Sequence, residues 1–394
     1  MTKILLALAL LISVGAASAH AADLAPIRIG EINSYTALPL YTENYRKGWK
    51  LAVEEVNASG GINGRKIEVI DRDDLGKPEE AMRVAEELFL NEKINLLSGC
   101  MFGNVCGALG EFANKNKIPV MRWFGNPEYE NKRESRYAFG LNSLFTTARA
   151  PALYVLEKHP DVTKWSSLAP NYVYGHQASE IFSAALKQYK PNTQWARTFW
   201  FPVGKLDAAA TIGAIDRQQP DAVMNAGFGA DITQLIRAGK NRDFDKGKII
   251  VSLETGMPEY LDVIGAECPQ GWIMTGYPRD TIDTPAHRAF VHAYEAKYGQ
   301  KPGWMSLNGY DSYQLVFAAL RKTPSLGAED IVTALEGVSA ETPIGTIKMR
   351  KADHFSTQGI WVGTSRVTNG KPELADWKYY GSDVMLIDES KVEK

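Results

Sequence analysis

Two stretches that follow predicted strands carry groups suited to binding a small anion with an apolar body. The turn from Ser98 to Asn104 lies between an apolar strand and a helical segment, so it offers backbone N–H groups at a helix start. The stretch from Arg122 to Gly125 follows the next predicted strand and adds a cation and two aromatic rings. A helix N-terminus attracts an anion, because its first N–H groups are unpaired and the macrodipole is positive there. We therefore predict a crevice that holds a small carboxylate.

The residue patterns typical of enzymes are missing from the sequence. It contains no Gly-x-Ser-x-Gly motif. His287 and His292 are five residues apart, which places them on different faces of a helix and argues against a shared metal. Gly60-Gly61 is not followed by the Lys-Ser/Thr pair of a phosphate-binding loop. We predict no catalytic residues, no metal site and no cofactor.

The three cysteines leave at least one thiol unpaired. Cys100 and Cys106 flank the turn described above and could form a disulfide if the turn brings their Cα atoms within reach. The alternative, that both are small buried hydrophobic residues, is equally compatible with the sequence. Cys268 has no obvious partner.

Length and composition suit an exported protein of two domains. The chain has 394 residues, more than one ordinary core accommodates. A formal net charge of −2 gives no basic face for nucleic acid. Residues 1–21 combine a short cationic start, an apolar run and small residues at the end, the pattern of a cleavable signal peptide. We expect a protein of the periplasm.

Strands and helices alternate along the chain in the way that predicts parallel sheets covered on both faces. The pattern restarts after about residue 139, which indicates an α/β fold with two doubly wound lobes joined by a multi-segment hinge. We expect lobe 1 to comprise residues 22–141 and 276–350, and lobe 2 to comprise 142–275 and 351–394. Two hinged lobes with a cleft between them can close on a ligand.

The stretch from Gly48 to Asp74, GWKLAVEEVNASGGINGRKIEVIDRDD, resembles the exported solute-binding proteins of ABC transporters for branched-chain amino acids. Weaker matches continue through Tyr172–Gly175 and Leu235–Arg237 to Asn308–Asp311, so the resemblance covers essentially the whole mature chain. It implies the type I periplasmic binding-protein fold and a monomer without a cofactor. The implied partners are a small-molecule ligand and the permease and ATPase of an ABC importer.

The same resemblance implies which residues bind the ligand. The family's carboxylate-binding serine or threonine corresponds to Gly103-Asn104, where backbone donors and the Asn104 amide would have to serve. A second carboxylate-binding loop corresponds to Trp123, Phe124 and Gly125, and Glu254 corresponds to the acid that meets the ligand's ammonium group. Two family tyrosines correspond to Tyr174 and to Phe228, which lacks the hydroxyl. The implied ligand-binding residues are Gly103, Asn104, Trp123, Phe124, Gly125, Tyr174, Phe228 and Glu254.

Several of these side chains also have ordinary structural interpretations. Glu254 could be a solvated acid at a strand end, and Trp123 and Phe124 could be core residues. Arg122 could be a surface ion-pair residue or could pair with a second acid group on the ligand. Tyr35 and Tyr41 could belong to a surface loop or to the rim of the cleft.

The ligand itself is open between two classes. An amino acid, branched-chain or otherwise hydrophobic, is favoured by Glu254. An aromatic or other organic carboxylate without an amino group is the alternative, because Trp123, Phe124, Tyr174 and Phe228 make the expected cleft aromatic. From other functional classes, the chain could be the ligand-binding subunit of a sensor or an amidase-like enzyme that uses a cysteine.

Overall fold

A computed structural model describes residues 24–125 and 136–381 of the chain. The predicted signal peptide, residues 1–21, lies outside these described residues. Within them the chain forms two parallel-dominated sheets with helices on their faces, together with a short two-stranded hairpin. The α/β class predicted from the sequence is confirmed.

The first sheet is built from strands and helices that alternate from the start of the described chain. All five strands are parallel, as crossover helices require. The elements are β1 (Ile27–Asn33), α1 (Pro39–Ala58), β2 (Ile67–Asp73), α2 (Pro78–Leu90), β3 (Leu96–Gly99), α3 (Gly103–Asn116), β4 (Val120–Gly125) and β5 (Ala138–Ser143). The strand order is β2-β1-β3-β4-β5.

The second sheet begins with a further run of alternating elements, and its first five strands are also parallel. These elements are α4 (Leu144–Lys158), β6 (Lys164–Pro170), α5 (Val173–Tyr189), β7 (Gln194–Phe201), α6 (Ala208–Asp216), β8 (Ala222–Asn225), α7 (Ala230–Lys240), β9 (Ile249–Gly256), α8 (Pro258–Ile264) and β10 (Ile273–Gly276).

The last part of the chain returns to the first sheet and then completes the second. Its elements are α9 (Pro285–Tyr298), α10 (Trp304–Lys322), α11 (Ala328–Leu335), the hairpin β11 (Ser339–Thr342) and β12 (Gly345–Lys348), and the antiparallel strands β13 (Ile360–Thr368) and β14 (Lys371–Tyr380). The second sheet then has the order β14-β13-β10-β9-β8-β6-β7. We call each sheet with the helices packed on it a lobe, lobe 1 for the first sheet and lobe 2 for the second.

Helix α10 belongs to lobe 1 because it packs directly on α1. A Cβ atom at Gly48 would lie 1.9 Å from the backbone oxygen of Ser306, and one at Gly309 would lie 2.2 Å from that of Tyr45. The two helices therefore touch backbone to backbone, and glycine is required at both contact points.

The chain crosses between the lobes at three places: after β5, after β10 and before β13. Two of the crossings are joined at α10, where Asn308 Oδ1 accepts hydrogen bonds from Asn142 Nδ2 at 3.1 Å and from Gln358 Nε2 at 2.7 Å. Just before the last crossing, Phe355 forms a bridge with Gly140 of β5. This segment lies against lobe 1, whereas the sequence division assigns residues from 351 onward to lobe 2.

Two predicted strand ends differ from the observed ones. Trp123, Phe124 and Gly125 were predicted as a loop after a strand, but they are the last residues of β4, because Phe124 and Gly125 pair with Asn142 and Ser143 of β5. Glu254 was predicted to follow its strand, but β9 continues past it to Gly256.

Candidate functional site

A cleft lies between the carboxyl ends of the strands of both lobes. In open α/β sheets this is where ligands bind. Lobe 1 contributes residues that follow β1 and β3 and the end of β4, and lobe 2 contributes residues that follow β6 and β8 and one within β9. The lining residues are Leu38, Tyr41, Met101, Phe102, Gly103, Trp123, Phe124, Tyr172, Tyr174, Phe228 and Glu254.

Six of the eight residues implied by the sequence resemblance are brought together in this lining. They are Gly103, Trp123, Phe124, Tyr174, Phe228 and Glu254.

The other two lie elsewhere. Asn104 is the second residue of α3, and its side chain is exposed outside the lining set. Gly125 is buried against another part of lobe 1, since a Cβ atom there would lie 2.0 Å from Phe355 Cζ. Gly125 therefore supports the end of β4 without facing the cleft.

Five lining residues were not among the implied binding residues. Tyr41 was left open as a possible rim residue, and Leu38 precedes it at the start of α1. Met101 and Phe102 occupy the turn before α3. Tyr172 stands two residues before Tyr174, after the same strand, and this spacing was the available signal for it.

Arg122 lies inside lobe 1 and away from the cleft lining. Its side chain is buried, and its Nε donates to the backbone oxygen of Phe139 at 3.4 Å. A Cβ atom at Gly110 of α3 would lie 3.3 Å from Arg122 Nη1, so the guanidinium points towards α3. It is not part of the cleft lining.

Glu254 is presented to the cleft by an unusual backbone conformation. Its φ is +61°, in the left-handed region that residues with a Cβ rarely adopt. The pairing of β9 with β10 is irregular here, with a register shift between Met274 and Gly276. Thr275 Oγ1 accepts the hydrogen bond of the Glu254 N–H at 2.7 Å. Such bulges re-aim side chains next to functional sites, and a strained non-glycine residue costs about 1–3 kcal/mol.

The carboxyl group of Glu254 is buried, and its pKa lies close to neutral pH. Burial raises its pKa to about 7, and the hydrogen bond from Tyr41 works in the opposite direction. Tyr41 Oη lies 3.3 Å from Glu254 Oε2. Near neutral pH the carboxyl is therefore close to half protonated in the ligand-free protein, and a cationic partner would favour its ionised form.

A chain of hydrogen bonds runs across the cleft and ends at Glu254. The Gly229 N–H donates to Tyr260 Oη at 2.6 Å, and Tyr260 and Tyr41 share a short hydroxyl–hydroxyl hydrogen bond. Either tyrosine can be the donor of this bond, and Tyr41 Oη also contacts Glu254 Oε2. Tyr41 lies on lobe 1 and the other three residues lie on lobe 2, so the chain joins the lobes at the floor of the cleft.

Glu259 forms a second link between the lobes. It lies on α8 of lobe 2 and is buried, and its carboxylate accepts hydrogen bonds from the backbone N–H groups of Trp304 at 3.0 Å and Met305 at 2.8 Å. These are the first N–H groups of α10 in lobe 1, where the helix dipole favours an anion. Burial raises the pKa of Glu259, and these hydrogen bonds oppose the shift. A Cβ atom at Gly303 would lie 2.1 Å from Glu259 Oε1, so glycine is needed at this helix start.

The remaining wall is mainly aromatic. Trp123 and Phe124 stack with centroids 5.2 Å apart on lobe 1. On lobe 2 the rings of Tyr172, Tyr174 and Phe228 pack against one another with centroids 5.8–6.2 Å apart. Among the described residues that line the cleft, Glu254 is the only one with a carboxyl group, and none is lysine, arginine or histidine.

A disulfide closes the turn between β3 and α3. Cys100 and Cys106 are bonded, with their Cα atoms 5.2 Å apart. The ring they close contains Met101, Phe102 and Gly103, all of which line the cleft. This resolves the alternative left open by the sequence. Cys268 is a free, buried thiol whose pKa burial raises to about 12.

Within residues 24–125 and 136–381, no group of three or more His, Cys, Asp or Glu side chains is placed to hold a metal ion. No helix in the same ranges is long and apolar enough to span a bilayer.

The chain matches a known protein family and is similar in sequence to known binding proteins. The sequence model of a family described as "Periplasmic binding protein" matches residues 26–371. The Leu/Ile/Val-binding protein homolog 8 of Brucella suis biovar 1 is 24% identical over 344 residues, which cover 82% of each chain.

Solved structures share the fold. A solute-binding protein of an ABC transporter from Rhodopseudomonas palustris BisB5, in complex with 3,4-dihydroxybenzoic acid, has a TM-score of 0.81 at 22% identity and covers 93% of this chain and 99% of its own. A leucine-binding protein from Thermotoga maritima has a TM-score of 0.77 at 20% identity, covering 89% of this chain and 98% of its own. The expected type I periplasmic binding-protein fold is confirmed. The relatives are solute-binding proteins and not enzymes.

Proposed function

This chain belongs to the periplasmic binding protein family, and from that premise we propose that it is the ligand-binding subunit of an ABC importer. In this proposal the protein is exported to the periplasm through a cleavable signal peptide, residues 1–21. It captures an amino acid with an apolar or aromatic side chain between its lobes. As a monomer it delivers the ligand to the permease and ATPase of the inner membrane.

Glu254 is the observation that carries the choice of an amino acid. It is the one acid in the described lining, and it is held there despite a positive φ. A buried carboxylate needs a partner, and a ligand ammonium group supplies one through a charge-assisted hydrogen bond. Tyr41 then completes the coordination of the carboxylate from the opposite lobe.

The other end of the ligand faces lobe 1 in this proposal. The start of α3 at Gly103 lines the cleft, and a helix N-terminus favours a carboxylate. The apolar body lies among Trp123, Phe124, Tyr174 and Phe228, where burial contributes about 25 cal/mol per Å² of apolar surface. The proposed contacts are Gly103, Trp123, Phe124, Tyr174, Phe228 and Glu254. Gly125 supports the end of β4, and Asn104 has an exposed side chain outside the lining.

An aromatic carboxylate is the second candidate, and two observations favour it. The wall of the cleft is mainly aromatic, and the pKa of Glu254, raised to about 7, allows the acid to bind in its protonated form. A protonated Glu254 can donate a hydrogen bond to a ligand oxygen without repelling an anion. The Rhodopseudomonas palustris protein in complex with 3,4-dihydroxybenzoic acid shows that this fold can accommodate such a ligand.

Isothermal titration calorimetry with a matched pair of variants tests the proposal. The panel comprises L-leucine, L-phenylalanine, L-tyrosine, benzoate and 4-hydroxybenzoate. We expect an amino acid to bind the wild type and Glu254→Gln to weaken that binding by about 10- to 100-fold, because a charge-assisted hydrogen bond contributes about 1.5–3 kcal/mol. Glu267→Gln, an exposed acid paired with Arg237 within lobe 2, is the control and retains wild-type affinity. Equal affinity of the wild type and Glu254→Gln for an amino acid removes the ammonium-binding role.

A further inference from the structure

We propose that the indole N–H of Trp123 and the hydroxyl of Tyr174 are hydrogen-bond donors to oxygen atoms of the ligand, so that the cleft selects a ligand with acceptor oxygens facing both lobes. This inference rests on the proposed function and adds the chemistry of recognition. It assigns polar roles to two side chains whose rings otherwise only shape the cleft.

Trp123 buries a donor that no described residue satisfies. The side chain lines the cleft from the end of β4 and is 6% exposed. Within residues 24–125 and 136–381, its Nε1 is buried without a hydrogen-bond partner. Indole N–H is a donor only, so an acceptor atom is the one kind of partner that can satisfy it.

Tyr174 presents the same situation on the opposite lobe. It lies in the first turn of α5, lines the cleft and is 7% exposed. Its hydroxyl is buried and has no hydrogen-bond partner among the described residues. Burial, and then the charge of Glu254, raises the pKa of Tyr174 well above its ordinary value, so the hydroxyl keeps its proton and remains a donor.

The two donors are informative because they belong to residues that line the cleft, whereas other buried groups without partners in the described chain, such as Trp165 Nε1 and Tyr380 Oη, lie away from it. Most buried polar groups have a partner, and one left unpaired is costly. The polar side chains of Tyr172 and Glu254 also line the cleft, but neither forms a hydrogen bond with Trp123 Nε1 or Tyr174 Oη. A ligand oxygen is the partner that this arrangement lacks.

The consequence for ligand choice is a strong preference for oxygen at two points. A ligand that encloses these donors without an acceptor leaves them unpaired, and sites of this kind reject such analogues more strongly than apolar pockets reject a missing methylene. The acceptor oxygens can come from the ligand's carboxylate or from a hydroxyl or carbonyl group on its body. Both sources have the same acceptor chemistry, and the experiment distinguishes them.

Variants that remove only the donor test the proposal. Tyr174→Phe deletes the hydroxyl, and replacement of Trp123 by 3-benzothienylalanine deletes the N–H while keeping the ring size. We expect each to weaken binding of the tightest amino acid or benzoate of the panel at least tenfold. We also expect the midpoint of ligand-free thermal unfolding to stay unchanged or to rise, since an unsatisfied buried group is removed. A merely structural role predicts the opposite, a lower midpoint with unchanged affinity.

Controls come from equivalent groups away from the cleft. Tyr380 Oη and Trp165 Nε1 are also buried without partners within the described chain, and neither residue lines the cleft. Tyr380→Phe and the same tryptophan replacement at Trp165 should leave affinity unchanged. Unchanged affinity at Trp123 and Tyr174, or a lowered ligand-free midpoint, overturns the proposal.

Two comparisons locate the oxygen and separate this proposal from the function on which it rests. A tenfold loss for L-tyrosine but not for L-phenylalanine points to an oxygen on the ligand body, and an equal loss for both points to the carboxylate. Either result supports the proposal. If the wild type binds no member of the panel, the proposed function fails. The ligand-free midpoints then still decide whether these donors are unsatisfied, with a lowered midpoint counting against them.

Discussion

Tyr41 Oη on lobe 1 lies 3.3 Å from Glu254 Oε2 on lobe 2, so the two lobes already touch through the residue that we expect to bind the ligand. The contact neutralises part of the cost of burying Glu254, yet it leaves the pKa of that carboxyl raised to about 7. Ligand binding, protonation and closure of the cleft therefore all involve the carboxyl group of Glu254. The following predictions separate these effects.

Ligand binding should be coupled to a proton. At pH 7 the ligand-free Glu254 is close to half protonated, because its pKa is about 7. An amino acid, whose ammonium group favours the carboxylate, should release about half a proton on binding, and an aromatic carboxylate should take up about the same amount. Calorimetry in phosphate and in Tris buffer, which differ in ionisation enthalpy, measures this number and its sign. Glu254→Gln should abolish it, and a proton change that persists in the variant must come from another group.

The ligand-free protein should become less stable as the pH rises from about 5 to 8. Burial raises the folded-state pKa of Glu254 to about 7 and that of Glu31 to about 8, above the ordinary value of 4.5. Between the ordinary pKa of 4.5 and the raised pKa of each group, the folded state therefore binds more protons than the unfolded state. Over that interval the free energy of unfolding falls by up to about 1.4 kcal/mol per pH unit for each group. Denaturant unfolding across this range measures the slope.

Two glutamine variants show which carboxyl group causes the loss of stability with rising pH. Glu254→Gln should flatten the slope mainly below pH 7, and Glu31→Gln should flatten it up to about pH 8. Stability that instead stays constant over this range would mean that both carboxyls ionise as readily in the folded protein as in the unfolded one.

Because φ is positive at Glu254, the variants Glu254→Gly and Glu254→Ala should differ in stability. Glycine adopts φ +61° without strain and alanine does not, so Glu254→Gly should be more stable than Glu254→Ala by about 1 kcal/mol. Both variants remove the buried carboxyl, so their difference reports the backbone alone. Urea unfolding of the pair measures it. Ordinary helix or strand geometry at this position would make the alanine variant at least as stable as the glycine variant.

Glu259 should hold the lobes together. Glu259→Gln keeps the size of the side chain but removes the charge that faces the Trp304 and Met305 N–H groups, so the open form should gain population. We expect a larger radius of gyration in X-ray scattering and a weaker apparent affinity, since only the closed fraction binds tightly. Glu267→Gln serves as the control on the same lobe. An unchanged radius together with unchanged affinity would show that this link contributes nothing to closure.

The hydrophobic runs predicted the strands that precede the cleft, but they did not single out its lining residues. Glu254 and Phe228 were implied by the resemblance to solute-binding proteins, and both line the cleft. Side-chain direction was harder to predict. Arg122, Trp123 and Phe124 are consecutive residues of β4, yet only the two aromatic residues line the cleft. Likewise Asn104 lies one position further around α3 than Gly103 and is turned to solvent.

Features that depend on distant partners could not be predicted. The backbone twist at Glu254 follows from the irregular register with β10, which lies about 20 residues further along the chain. The end of β4 depends on its pairing with β5. The hydroxyl of Tyr41 meets Glu254 and Tyr260 only after both lobes are assembled, and those residues are 213 and 219 positions away.

The bond between Cys100 and Cys106 has a practical consequence for anyone who measures this protein. It fixes the ends of the loop that carries Met101, Phe102 and Gly103, and thereby removes conformations that the free loop would have to give up when a ligand arrives. Material produced in a reducing cytosol carries two thiols instead, so its titrations would report a looser receptor than the one that folds in an oxidising compartment.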